Sequence, residues 1–168
     1  FRCDVYVCYQ HPNSKINFGH RLFKSLGPEP LGDGFSSKWL ANWIKDRRTP
    51  IKSVLLDQRI IAGLGNIYVC ETLFRAGISP RKPADKISLV RLKALVPHVK
   101  DVLNEAIAAG GSSLRDFKHT DGEMGYFQHN FDVYGREGEP CSRLKCTGQI
   151  KRLVQLGRSS FFCPTCQK

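Results

Sequence analysis

The sequence lacks an apolar run long enough to span a membrane, and its N-terminus lacks the basic, apolar and small-residue pattern of a signal peptide. The first absence excludes a membrane-spanning helix, and the second predicts that no secretory signal is present. Acidic residues are scarce, with 15 Asp+Glu against 26 Lys+Arg and a formal net charge of +11. This shortage of negative charge predicts a polyanionic partner or an anionic surface.

The composition is that of a folded protein. The 168 residues are 41% hydrophobic and 24% charged, which excludes a wholly disordered chain or a coiled coil. The length allows one ordinary domain or two small ones. Because Phe1 rather than Met begins the sequence, we expect a fragment or a processed product.

Seven cysteines are present, and four of them cluster near the C-terminus. Cys141 and Cys146 are separated by four residues, and Cys163 and Cys166 by two. Two short thiolate pairs joined by a hairpin supply the tetrahedral ligands of a structural zinc ion. The spacing therefore predicts one structural zinc, with two disulfides or free thiols as the alternatives. Four thiolate ligands leave no position for a water molecule, so we do not expect a catalytic zinc.

The segment between the two cysteine pairs predicts the hairpin that joins them. Four apolar residues precede a turn at 157–159, and two phenylalanines follow it; the four are Ile150, Leu153, Val154 and Leu156. This order is typical of a strand, a tight turn and a second strand. Residues 136–168 carry 7 basic and 2 acidic side chains, so the predicted zinc hairpin is strongly cationic.

Helical periodicity dominates the middle of the chain. Ser36 precedes an apolar pattern and predicts a helix that ends near 45–48. Thr49 and Pro50 predict the N-cap and first residue of a short second helix. Its apolar residues face inward, and Lys52 falls on its other side.

Two further helices are predicted downstream. Asn66 is placed to cap a third helix, which should end at Gly77. A fourth helix from about 88 to 109 has a regular apolar stripe, and Pro97 predicts a kink or a break in it. Residues 35–110 are therefore expected to form a compact helical bundle.

One pair of predicted helix starts suggests a phosphate site. Lys52 lies at the first of them, and the glycine-rich turn at 63–65 followed by Asn66 lies at the other. Exposed helix amides, a lysine and an asparagine together suit a phosphate group. The alternative is an ordinary turn with solvated side chains.

Eight strings of the sequence carry a resemblance to a known family. In chain order they are LGPEPL (26–31), IK followed by LD (51–57), IAGLGNIY (61–68), ETLFRAGISP (71–80), GGSSLRDF (110–117), DGEMGYF (121–127), VYGREGEPC (133–141) and GRSSFFCPTCQK (157–168). The chain resembles the C-terminal part of the bacterial formamidopyrimidine-DNA glycosylases, which remove oxidised purines such as 8-oxoguanine. The related endonuclease VIII type, directed at pyrimidines, shares the layout and is an alternative.

The resemblance implies a mainly α fold, with a helix–two-turn–helix bundle followed by a small zinc-ribbon β-hairpin. The implied parts are a remnant of an N-terminal domain or linker (1–25), a DNA-binding domain (26–130) with a lesion-recognition loop near 115–127, and a zinc finger (131–168). The implied function is base-excision repair by a DNA glycosylase and abasic-site lyase. Such a protein acts as a cytoplasmic monomer on damaged double-stranded DNA, with one zinc ion and no membrane partner.

The resemblance also implies roles for individual residues. In this family the residues matching Arg48, Lys52 and Asn66 contact DNA phosphates around the damaged nucleotide. Tyr126 lies in the loop that closes over the extruded base. Arg158, at the hairpin tip, reaches the lesion and takes part in the elimination step.

Two departures from the family pattern change the expected activity. The first cysteine pair has four intervening residues where many members have two, which still permits tetrahedral geometry. The family nucleophile is an N-terminal proline followed by a glutamate, and residues 1–20 contain no such start. We therefore expect salt-sensitive DNA binding with little or no base excision by these residues alone. The alternatives are a non-catalytic DNA-binding remnant and a zinc-ribbon RNA or protein adaptor.

Overall fold

The computed structural model describes residues 25–110 and 131–168. Within these ranges the chain forms four α-helices, one short 3-10 helix and a two-stranded antiparallel sheet, in the predicted order of helices followed by a hairpin. The elements are α1 (Ser37–Ile44), α2 (Ile51–Leu55), α3 (Asn66–Arg75), the 3-10 helix (Ala84–Lys86), α4 (Leu89–Ala108), β1 (Lys151–Gln155) and β2 (Arg158–Phe162). Among the described helices, none has the length and apolar character that a bilayer crossing requires.

The starts of the first two helices differ in how well the sequence predicted them. Ser36 caps α1 as predicted, and its Oγ accepts a hydrogen bond of 3.2 Å from the Trp39 amide. For α2 the predicted cap was wrong by one residue, because Pro50 rather than Thr49 precedes the helix. Pro50 has an extended backbone and forms an isolated bridge with Pro83. This tertiary contact keeps Pro50 outside the helix.

Helix α3 begins one residue earlier than its predicted cap implies. Gly65 occupies the N-cap position, so Asn66 is the first helical residue and does not cap the helix. Its side chain is free to bond elsewhere. The predicted end is confirmed, since Ala76 is the C-cap and Gly77 adopts a φ of +66°.

Helix α4 is continuous over 20 residues, so of the predicted kink or break at Pro97 the break does not occur. Proline removes the donor for the carbonyl of the residue four positions earlier, which is Lys93. Both Pro97 and Lys93 are exposed, so water can hydrogen-bond the freed carbonyl. Ser88 caps this helix, close to the predicted start.

Helix α3 contributes to two apolar cores. Val69 and Leu73 pack into the main core between the helices, which also contains Leu40, Ile51, Leu55, Ile60, Ile61, Leu64, Leu92, Leu95, Val99 and Leu103. Cys70 and Phe74 on the adjacent face pack against the zinc hairpin, in a second core with Val133, Ile150 and Phe161. The hairpin is therefore seated on α3 by apolar packing.

The hairpin turn is tighter than predicted. Gln155 pairs with Arg158, so the loop consists only of Leu156 and Gly157. Both have positive φ values, +50° and +69°, as a two-residue hairpin loop requires. Arg158 is therefore the first residue of β2, immediately after the turn.

Candidate zinc centre and nucleic-acid interface

Four thiol groups come together beyond the ends of the strands. The Sγ atoms of Cys141, Cys146, Cys163 and Cys166 all lie within 4.8 Å of one another. The Cys141–Cys166 pair is 3.8 Å apart and the Cys146–Cys163 pair 3.7 Å. A tetrahedral ion with Zn–S bonds of about 2.3 Å places its sulfur ligands about 3.8 Å apart. The cluster fits one structural zinc ion, and the predicted cofactor is confirmed.

The thiols differ in their readiness to ionise. Burial raises the pKa of Cys163, but the amides of Thr165 and Cys166 outweigh it and lower that pKa to about 7. Burial and the neighbouring thiols raise the pKa of Cys166. Four thiolates at this distance need a cation to neutralise them, so zinc binding must release protons.

The two loops that carry the cysteine pairs also bind the chain at the end of α3, a contact that the sequence did not reveal. We call the loop of Cys141 and Cys146 the first zinc knuckle and the loop of Cys163 and Cys166 the second. The Arg143 guanidinium donates hydrogen bonds of 2.6 and 2.9 Å to the carbonyls of Phe74 and Arg75. Its charge suits the negative end of the helix dipole. On the second knuckle, Gln167 Nε2 donates to the Ile78 carbonyl at 2.9 Å. Zinc thus holds together two loops that both contact the helical part.

Two predicted phosphate ligands converge on one carbonyl of the hairpin. Lys52 Nζ donates to Ser159 O at 3.0 Å and to Ser160 Oγ at 2.6 Å. Asn66 Nδ2 donates to the same Ser159 oxygen at 3.0 Å. We call these four residues the hairpin latch. It ties the starts of α2 and α3 to the strand that begins with Arg158.

Lys52 is fully buried, with 0% exposure, although the sequence placed it on the outer side of α2. The zinc hairpin covers that side. Burial lowers the pKa of Lys52, and the charge of Arg158 lowers it further. In this structure its ammonium group bonds to the hairpin, and its contact with DNA remains a prediction.

The other predicted DNA contacts are less enclosed. Asn66 is half-buried, and besides its bond to Ser159 its Nδ2 has a longer contact of 3.4 Å with the Tyr134 hydroxyl. Arg158 is half-buried beside the hairpin turn, and Arg48 is exposed between α1 and α2. Tyr126 and the predicted loop at 115–127 lie outside the described residues.

A buried carboxylate that the sequence analysis missed fastens the start of the finger. Glu71 is 0% exposed. Its Oε2 accepts from the Asp132 amide at 2.8 Å, and its Oε1 accepts from the Val133 and Tyr134 amides at 3.1 and 2.8 Å. Burial raises the pKa of Glu71, while these amide hydrogen bonds oppose the rise. The only local signal was a carboxylate directly after the apolar Cys70 in the helical pattern.

The hairpin latch predicts a local effect of Lys52→Met. Methionine fills the apolar path of the lysine stem and removes a buried charge, so the free energy of unfolding should change by less than about 1.5 kcal/mol. Strand β2 loses the hydrogen bonds that Lys52 donates to it. Hydrogen exchange of the β2 amides should therefore speed up about tenfold relative to that of the α4 amides. Lys38→Met, at an exposed lysine of α1, is the control. Unchanged exchange in β2 would contradict this role.

The fold and the site together define a zinc-finger protein in which a cationic hairpin is fastened to a helical domain. Residues 26–118 match the formamidopyrimidine-DNA glycosylase H2TH domain, and residues 138–168 match the zinc finger found in FPG and IleRS. The first match alone covers more than half of the chain. The chain belongs to the formamidopyrimidine-DNA glycosylase family.

Curated relatives agree with this assignment. The formamidopyrimidine-DNA glycosylase of Ruegeria sp. (strain TM1040) is 64% identical over 149 residues, which cover 89% of this chain and 53% of the relative. The enzyme of that name from Paracoccus denitrificans (strain Pd 1222) is 60% identical with the same coverage. The chain therefore spans about half the length of the curated relatives it matches.

Solved structures show the same architecture. The MutM (Fpg) protein of Thermus thermophilus superposes with a TM-score of 0.82 at 42% identity, over 90% of this chain and 57% of that one. The complex between the Lactococcus lactis Fpg and DNA containing an abasic site gives a TM-score of 0.78 at 37% identity, over 88% and 53% of the respective chains.

Proposed function

We propose that this chain is the DNA-binding part of a formamidopyrimidine-DNA glycosylase that repairs oxidised purines by base excision. The hairpin latch carries the proposal, because it fastens the strand that begins with Arg158 to the two helix starts that carry Lys52 and Asn66. The net charge of +11 suits a DNA partner. Relatives of this fold have been solved in complex with damaged DNA.

In this proposal the helix–two-turn–helix domain occupies residues 26–130 and the zinc finger 131–168, after a remnant of another domain at 1–25. An enzyme of this class must extrude the damaged base from the duplex, at a cost of about a few kcal/mol. Contacts to the phosphates hold the distorted backbone. The chain then acts as a clamp, and zinc acts only by holding the finger in shape.

Each proposed contact has a physical basis. The second N–H of Asn66 Nδ2 has only the 3.4 Å contact with Tyr134, so it is the hydrogen offered to a phosphate. Arg48 is exposed in the loop between α1 and α2. Its long side chain can therefore adjust to the position of a DNA phosphate. Arg158 lies beside the rigid turn, where it serves the elimination step at the lesion. None of these three residues supplies the amine that attacks the sugar.

The proposal is tested by measuring binding of the zinc-loaded chain to a duplex with one abasic-site analogue. The logarithm of the binding constant should fall linearly with the logarithm of salt concentration, by about 0.9 for each phosphate contact. Borohydride trapping on a true abasic site should give no covalent adduct. A flat salt dependence would overturn the electrostatic clamp, an adduct would reveal a nucleophile in this chain, and a preference for folded RNA would favour the adaptor alternative.

Asn66→Ala should weaken binding to this duplex by about 1–3 kcal/mol, the cost of losing a hydrogen bond to a charged phosphate. Zinc content should not change, since the four thiols are untouched. Asn104→Ala, at an exposed position of α4, is the matched control and should bind like the wild type. An unchanged dissociation constant at fixed salt would refute the assignment of Asn66.

A further inference from the structure

The tip of the zinc hairpin exposes two aliphatic side chains. Val154 is 66% exposed and Leu156 is 70% exposed. Val154 lies with the exposed Arg152 on the outer face of β1, because the partly covered Leu153 and Gln155 alternate with them. Leu156 follows β1 directly, in the two-residue turn. We call Val154 and Leu156 the apolar tip.

The conformation of the turn does not require a leucine. Leu156 has a φ of +50° and is followed by Gly157 at +69°, and loops of this kind favour Asn-Gly. A leucine in this conformation is sterically disfavoured. Leu156 also belongs to none of the three buried apolar clusters of the described chain. Neither local geometry nor internal packing therefore accounts for this residue.

The charge around the tip identifies the kind of partner that suits it. No acidic residue occurs after Glu139, whereas six basic ones do: Arg143, Lys145, Lys151, Arg152, Arg158 and Lys168. A narrow apolar tip on a wholly cationic arm complements duplex DNA. Its phosphates take the cations, and the sugar faces and base edges within the groove take the apolar group.

We propose that Leu156, supported by Val154, inserts into the groove of duplex DNA and packs on deoxyribose and base edges beside the nucleotide approached by Arg158. This inference rests on the proposed function and extends it, because it assigns an apolar contact that does not involve a phosphate. The rigid two-residue turn and the zinc centre behind it hold the tip in position without a large ordering cost on binding.

Leu156→Asn separates a binding role from a folding role. Asparagine suits the turn better than leucine, so thermal stability should stay the same or rise. Affinity for the abasic-site duplex at fixed salt should fall about tenfold, because the apolar contact is lost. The salt dependence should keep its slope, since no phosphate contact is removed. Arg152→Gln, in contrast, should reduce the slope by about 0.9.

Leu144→Asn is the matched control, because Leu144 is 92% exposed but lies on the first zinc knuckle. It should bind like the wild type. If the wild-type chain itself does not bind the duplex, the proposed function fails. If the wild type binds and Leu156→Asn binds equally well, the apolar tip is not a DNA contact and the inference is overturned. Equal losses in both leucine variants, or a loss accompanied by a reduced salt slope, would also overturn it.

Discussion

Cys163→Ser is expected to remove zinc from the protein and to unfold the finger. Serine does not ionise near neutral pH and is a poor zinc ligand, so the site keeps three thiolates and loses most of its affinity. Structural zinc contributes about 10–16 kcal/mol to folding in small zinc-binding peptides, more than a segment of this size can replace with its own core. Atomic absorption should show close to one zinc per chain for the wild type and almost none for the variant.

Loss of zinc should also abolish the contacts of both knuckles with α3. Arg143 and Gln167 depend on the knuckles for their position. DNA affinity should therefore fall strongly, while the helical domain, which has its own core, keeps its circular dichroism signal. Cys70→Ala is the control, since this buried cysteine is not part of the thiol cluster. Zinc retained by Cys163→Ser would rule out the assigned ligand set.

Glu71→Leu is expected to destabilise the chain by about 3–5 kcal/mol. The substitution removes the acceptor of three amide hydrogen bonds, which the fully buried Glu71 side chain makes to Asp132, Val133 and Tyr134. The buried Val133 amide then loses its partner without gaining solvent, and the two part-buried amides lose theirs with limited compensation, at about 1–3 kcal/mol for each unsatisfied group. Urea unfolding followed by fluorescence should show a lower midpoint, with the transition beginning in the finger.

Glu71→Gln should lie between leucine and the wild type, because its amide keeps one acceptor oxygen but turns an NH₂ group toward a donor. Glu105→Gln provides the comparison on the surface. Glu105 pairs with Arg75 at 2.6 Å but is 45% exposed, so its loss should cost no more than about 1 kcal/mol. If Glu71→Leu were no more damaging than Glu105→Gln, the buried Glu71 carboxylate would not support the finger.

Elements defined by local patterns were predicted well. Helical periodicity and the capping residues Ser36, Ser88 and Gly77 placed α1, α3 and α4 to within a residue or two. The cysteine spacing indicated the zinc ion, because the ligands of a knuckle are close in sequence. The errors at Thr49 and Asn66 are errors of one residue at a helix start. They arose where a distant partner competed with the local cap.

The sequence by itself thus determined the helices, the hairpin, the zinc ion and the cationic character of the chain, since each depends on residues that are neighbours along the chain. Only the tertiary structure decided what Lys52, Asn66 and Glu71 bond to. Their partners lie 107, 93 and 61 to 63 positions away, a separation over which no periodicity or spacing extends. The folded chain buries Lys52 and Glu71, and burial obliges a charged group to find partners wherever the packing brings them.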